Sequence, residues 1–313
     1  MSGAFHRDIW GRRARGAAAA GALAWTVAVA PSALAADMAD LDVETYTGSG
    51  TGLLADSHII MGRNEAILVD AQLTRADALA LVDRIKDTGL KLTTIFITHA
   101  DPDHYLGLQY VTQAFPDARV LSGTGTALEI ARRGNDAIAY WRERLQDDVA
   151  DRLVVPRQVT FPRLEIEGES IKVLPMPGSE SPSPSVLWMP DRGWLFTGDL
   201  VVSEVHLRLA DGRIAGWLDA LRQLRHLGKI TRVYPGHGEG TDVNLIVKNE
   251  SYIKKFRSLS ESDATAQDVY DALLALYPTY RLPFIARMSA DSLAPGTGPI
   301  RAEATAKRKE EQP

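Results

Sequence analysis

The chain has 313 residues, 45% of them hydrophobic and 24% charged, which excludes wholesale disorder and leaves room for one large domain or two small ones. With 35 Lys+Arg against 40 Asp+Glu, its net charge of -5 argues against nonspecific nucleic-acid binding, which needs a basic surface. There is no cysteine, so disulfides, thiolate metal sites, cysteine nucleophiles and a lipid-modified N-terminal cysteine are excluded, and any metal must be held by histidines, carboxylates or hydroxyls.

Residues 1–35 differ from the rest. Arg7, Arg12, Arg13 and Arg15 form a basic start, residues 17–30 are almost wholly small and apolar, and Ala33-Leu34-Ala35 offers small residues where a signal peptidase reads. This is the pattern of a secretory signal peptide, with the apolar run shorter than the ~20 residues of a spanning helix. An uncleaved anchor is the rival reading. The expected location is periplasmic or secreted, with no stable membrane anchor after cleavage. Arg12-Arg13 leaves the twin-arginine route open beside the general secretory one.

Residues 57–61 and 66–69 are short apolar runs around Gly62-Arg63-Asn64-Glu65, a hairpin pattern. Residues 74–88 carry Ala78, Leu79, Leu81, Val82 and Ile85 at helical spacing, and Gly89 follows as a stop. Residues 93–98 (TTIFIT) predict a buried strand, and residues 106–115 a helix ended by Pro116. A short strand over 119–121 precedes two helices, 127–133 and 136–149. Strands follow over 164–166, 171–174, 185–189 and 194–197, then a helix over 214–227, a strand over 232–234 and helices over 242–259 and 264–276. Two halves, each with strands and covering helices, predict two stacked sheets with helices outside. Residues 36–290 form the domain, and 291–313 read as a disordered tail.

The densest chemistry is Thr98-His99-Ala100-Asp101-Pro102-Asp103-His104, where four candidate metal ligands fall within six residues directly after a buried strand. Pro102 fixes its own φ and restricts Asp101, so an extended turn is expected there. Two other strands end in polar, glycine-bearing loops, Thr197-Gly198-Asp199 and Pro235-Gly236-His237-Gly238. A third runs into Pro177-Gly178-Ser179-Glu180. Taken singly, Asp101 and Asp103 read equally well as helix caps, Asp199 as a turn residue and His237 as a loop histidine.

In this order the segments resemble the metallo-β-lactamase superfamily, whose pattern is a His-x-His-x-Asp-His loop followed by Gly-His, Gly-Asp and Gly-His. The resemblance covers about residues 42–240. It implies an α/β fold, the four-layer αββα sandwich. It also implies a metal site in which His99, Asp103 and His104 match three loop ligands, Asp199 the bridging aspartate and His237 the last histidine. Two positions depart from the family. Asp101 stands where the family has its second loop histidine, and Ser179 where it has the mid-chain histidine. Both changes fall in the family's first metal site with His99; the second, built on Asp103, His104 and His237, is intact. A carboxylate in place of imidazole hardens a site toward Mn or Fe relative to Zn. The flavodiiron branch has such a carboxylate, but also a flavin domain that is not visible here. Glu180, one residue past Ser179, could swing in as a substitute ligand.

The resemblance implies a secreted metal-dependent hydrolase with one or two ions, Zn first and Mn or Fe compatible. A metal-activated water, held by Asp103, would attack an ester, lactone, lactam or thioester of a small molecule. His206 and Tyr105 are candidate substrate contacts, shaped by the helix over 136–149 and the segment after Asp199. His58 reads as structural, His226 as surface, and Tyr140, Trp141, Trp194 and Trp217 as core. The alternatives are a non-catalytic binding protein with a degraded metal site and an iron-dependent redox enzyme.

Overall fold

The computed structural model describes residues 40–293; the signal-peptide expectation for 1–35 and nearly all of the expected tail lie outside them. The first half runs β1 (Asp42–Thr47), β2 (Asp56–Met61), β3 (Glu65–Val69), α1 (Arg75–Asp87), β4 (Lys91–Ile97), α2 (Pro102–Tyr105), α3 (Leu108–Ala114), β5 (Arg119–Ser122), α4 (Thr124–Leu145) and β6 (Arg157–Gln158). Its six strands lie side by side in chain order, antiparallel from β1 to β3 and parallel from β3 to β6. The second half is β7 (Arg163–Ile166), β8 (Glu169–Pro175), β9 (Ser185–Met189), β10 (Trp194–Gly198), α5 (Ile214–Arg225), β11 (Arg232–Pro235), α6 (Asn244–Ser260), α7 (Ala266–Leu276) and α8 (Pro283–Asp291). Its five-stranded sheet has the order β11-β10-β9-β8-β7, with only β10 and β11 parallel.

Strand alternation explains the layering. Ile67, Val69 and Phe96 of the first sheet meet Leu187, Met189 and Phe196 of the second in one buried cluster. Their neighbours Leu68, Ile95 and Ile97 point the other way, onto Leu81 and Ile85 of α1. On the far side Val186, Trp188 and Leu195 meet Trp217 and Leu221 of α5. Strands buried on both faces read as continuous apolar runs, which is why they were legible. The result is the expected αββα sandwich. α1 starts where its sequence says, with Thr74 Oγ1 accepting from the Asp77 backbone at 3.0 Å.

Two local expectations are corrected, and two elements were not anticipated. The two helices over 127–133 and 136–149 are one, α4, running unbroken through Gly134-Asn135. A Cβ on Gly134 would collide with Leu153 Cδ1, so this glycine permits close packing and does not end the helix. Asp101 is extended (φ -87, ψ 139), but Pro102 begins a helical turn, α2, that carries Asp103 and His104. β1 has no fully buried residue and left no apolar run. α8 was not anticipated either, and it ends at Asp291.

Parallel pairing collects the polar loops at one edge. Val69 pairs with Phe96, so Asp70 follows β3 beside Thr98 and His99 following β4. Gly198 pairs with Pro235, which places Asp199 beside Gly236-His237. The Ser185 N–H donates to the Thr98 carbonyl at 2.9 Å, tying the loop before β9 to the end of β4. Sites at the carboxyl ends of strands arise in this way.

Candidate metal centre

His99, Asp103, His104, Asp199 and His237 converge. Asp103 Oδ2 lies 3.7 Å from His104 Nε2 and 3.4 Å from His237 Nε2. Asp199 reaches His104 Nε2 with Oδ1 at 3.2 Å and His237 Nε2 with Oδ2 at 3.1 Å. Donors around a tetrahedral ion with bonds of ~2.0–2.1 Å stand roughly 3.4 Å apart, which is the spacing here. The atoms also lack other partners. His99 Nε2, His104 Nε2 and Asp199 Oδ1 are buried without a hydrogen bond among the described residues, a costly arrangement unless a cation takes their lone pairs. The donor set therefore fits a divalent metal.

The other half of the centre is built differently. His99 Nε2 faces Asp101 Oδ2 at 3.5 Å, Glu180 Oε1 at 3.5 Å and Asp199 Oδ2 at 3.8 Å. Glu180 thus presents its carboxylate to His99, and Asp199 stands between the two halves. Ser179 is buried, and its carbonyl accepts from Arg213 Nε at 2.5 Å. Asp101 holds the N-cap position of α2 without a side-chain cap bond. Its Oδ2 instead accepts from Arg208 Nη2 at 2.7 Å, while Arg208 Nη1 donates to Asp211 at 2.6 Å.

A buried relay orients both imidazoles. Asp70, a non-glycine residue at φ 62, accepts from the Thr98 N–H on Oδ1 at 2.8 Å. Its Oδ2 accepts from Thr98 Oγ1 at 2.8 Å and His104 Nδ1 at 3.0 Å. Thr98 Oγ1 has then given its proton away and can only accept from His99 Nδ1, 2.8 Å distant. Both histidines are therefore protonated on Nδ1 and present Nε2 lone pairs to the centre. Gly236 allows the close approach on the opposite side: a Cβ there would lie on Asp199 Oδ1.

Charge in the cluster is excessively negative, and the titrating groups respond. Burial alone would lower His104 and His237, but the carboxylates around them, Asp199 foremost, outweigh it and hold both well above the ordinary value. Burial opposes ionisation of Asp199, yet His237 and His104 hold it well below the usual carboxylate range. Asp101 is likewise held low against its burial by Arg208 and His99, whereas burial, Asp199 and Asp101 push Glu180 well above. Such a cluster recruits positive charge, as a proton or as a metal ion.

The centre lies at the floor of a cavity of about 610 Å³. Tyr105 and His206 both line it. His206 Nδ1 bonds the Tyr252 hydroxyl at 2.8 Å, and burial lowers the ring to about 4, so it is neutral near pH 7. Tyr140 and Trp141 line the cavity too, Tyr140 being 51% exposed; of the aromatics expected in the core, Trp217 is fully buried. Tyr140 faces outward because α4 covers the first sheet with its opposite stripe, through Ile130 and Ile138, against which the half-buried Trp141 also packs. His58 uses both ring nitrogens, toward Thr45 Oγ1 at 2.9 Å and the Pro235 carbonyl at 2.8 Å, and His226 is exposed.

Asp70 and Arg208 were not singled out from sequence. Asp70 had a usable signal, a carboxylate directly after the buried run of β3, the same form as the other ligand-bearing loops. Arg208 had none.

Residues 50–237 match the family described as the metallo-beta-lactamase superfamily. A hydroxyacylglutathione hydrolase of Synechococcus sp. is 29% identical over 197 residues, 59% of this chain and 65% of that protein's length. Among solved structures, a metallo-beta-lactamase family protein from Thermus thermophilus superposes with a TM-score of 0.61 at 19% identity, over 84% of this chain and 94% of that one. A metallo-beta-lactamase from Pontibacter korlensis gives 0.54 at 21% identity, over 68% of this chain and 99% of the other. At those identities the structures speak for the fold alone.

Proposed function

This chain belongs to the metallo-β-lactamase superfamily, and on that premise we propose that it is a metal-dependent hydrolase of acyl compounds, with thioesters and esters foremost. The carrying observation is the set of unpartnered, buried His and Asp atoms converging under an open cavity. Thioester chemistry draws support from the hydroxyacylglutathione hydrolases, of which the chain spans 65% of the length.

In this reading Asp103, His104, His237 and Asp199 hold the ion. When bound, a divalent ion there supplies Lewis acidity, lowering the pKa of water and polarising a carbonyl oxygen. Asp103, which faces the cavity, orients the attacking water and takes its proton. The water oxygen bonds to the acyl carbon, the carbon–sulfur or carbon–oxygen bond breaks, and the proton passes from Asp103 to the leaving atom. The carboxylic acid formed releases its own proton to solvent. Chelator-treated protein should lose hydrolysis and regain it with Zn²⁺ or Mn²⁺. Ion at 100 times its Kd should raise stability by about 2.7 kcal/mol. Full hydrolysis by protein shown metal-free by elemental analysis would refute the reading.

The half around His99 takes an ion less readily. Arg208 already neutralises Asp101 through the same oxygen that faces His99. Its three carboxylates make it a hard site, suited to Mn²⁺ over Zn²⁺. Arg208→Gln removes the resident cation and frees Asp101. Metal content after dialysis against Mn²⁺ should then rise from about one ion per chain toward two; an unchanged ratio would count against Arg208 as the controlling group.

A further inference from the structure

The cavity above the metal centre has two unlike sets of lining residues, and together they define a substrate class. Seven carboxylates and three guanidinium groups line it. Each guanidinium is already engaged. Arg133 pairs with Glu129 at 3.3 Å, Arg208 with Asp101 and Asp211 at 2.7 and 2.6 Å, and Arg213 with Asp211 at 3.6 Å. Arg213 also donates to the Ser179 and Glu180 carbonyls. Asp136 is the one of the seven that α4 contributes without an arginine named above as its partner. One divalent ion offsets only half of the formal excess of four carboxylates. A glutathione conjugate, with two carboxylates and one ammonium group, would enter a cavity of its own sign with no uncommitted arginine lining it among the described residues.

Apolar side chains line the cavity as well. Tyr140 and Trp141 face the cavity from α4, and Phe284, Ile285 and Met288 from α8, with Leu53 closing the rim. Tyr140, Phe284 and Met288 remain 51%, 45% and 45% exposed. Large apolar side chains left open beside a reactive centre mark a ligand surface.

We propose that the substrate is an uncharged acyl ester or thioester whose apolar acyl group lies between α4 and α8, and that glutathione conjugates are poor substrates. This rests on the hydrolase reading above. Binding an acyl chain there removes both the chain and the exposed aromatic edges from water, while the acidic lining disfavours anionic leaving groups.

The test compares N-acetylcysteamine thioesters from acetyl to octanoyl with glutathione thioesters of the same acyl groups, using metal-loaded full-length protein. Each added methylene should raise kcat/KM about fourfold until the cavity is filled. The glutathione partner should be at least about tenfold poorer at every length. Phe284→Ser and Met288→Ser, both at exposed positions, should flatten the dependence of kcat/KM on chain length, lowering octanoyl turnover more than acetyl. Asp136→Lys should narrow the gap between the two leaving groups. A flat length profile, or preference for the glutathione series, overturns the proposal while leaving the hydrolase reading intact. If no thioester or ester is cleaved although metal is bound, the hydrolase reading fails, and binding decides the remainder. Octanoyl amide titrated by tryptophan fluorescence should then bind tighter than butanoyl amide by the same factor per methylene, and equal or no binding overturns the acyl-site assignment too.

Discussion

His104→Ala is expected to abolish both bound metal and hydrolysis. Its Nε2 stands 3.2 Å from Asp199 Oδ1 and 3.7 Å from Asp103 Oδ2, so its removal takes out the donor that those two carboxylates surround. Substituting a residue that merely orients a metal ligand costs about 10–100-fold in affinity or activity. Losing the ligand itself should exceed that, with kcat/KM falling more than about 100-fold and the ion count dropping from about one per chain to background. His237→Ala should behave alike, because its Nε2 meets Asp199 and Asp103 from the other side at 3.1 and 3.4 Å. Elemental analysis of protein shown folded by near-UV circular dichroism separates metal loss from unfolding. Wild-type metal content together with wild-type turnover in either variant would remove these residues from the centre.

Asp70→Asn should cost about 10–100-fold in metal affinity while the chain still folds. The aspartate only accepts, and this fixes every proton in the relay from His104 through Asp70 and Thr98 to His99. An asparagine keeps the shape but turns one acceptor into a donor. If its amide nitrogen faces His104, Nδ1 must accept, and the imidazole proton moves to Nε2, the atom aimed at the metal. If the amide is flipped, the Thr98 N–H loses its acceptor. Asp70→Ala should be worse for the fold, since it leaves the Thr98 N–H and His104 Nδ1 buried without a partner, at about 1–3 kcal/mol for each group. Competition with a chromophoric chelator gives the affinity, and urea unfolding gives the stability. Wild-type metal affinity in Asp70→Asn would show that the tautomer is set elsewhere.

The layered architecture was legible because its cause is local. β3, β4, β9 and β10 are buried on both faces, so each reads as an apolar run, and α1, α5 and α6 repeat apolar residues at helical spacing. Their boundaries came within a few residues. The failures were also local. β1 has no fully buried residue, and Gly134, which looked like a break, is a packing contact with Leu153. Tyr140 had the composition of a core residue, but one stripe of α4 covers the sheet, with Trp141 packed on it, and Tyr140 lies on the other, exposed at the cavity.

For the centre, the short loop from His99 to His104, Asp199 and His237 stood out because each follows a buried strand, and parallel pairing of such strands delivers their ends to one edge. Sequence alone determined those residue types, their order and the two positions where imidazole is missing. Only the tertiary structure decided what fills the gap. Glu180 faces His99, and Arg208, 107 positions from Asp101, claims that carboxylate. Periodicity and motif spacing report neighbours along the chain. An ion pair between remote loops depends on how two sheets and their connections pack, and no local pattern encodes that.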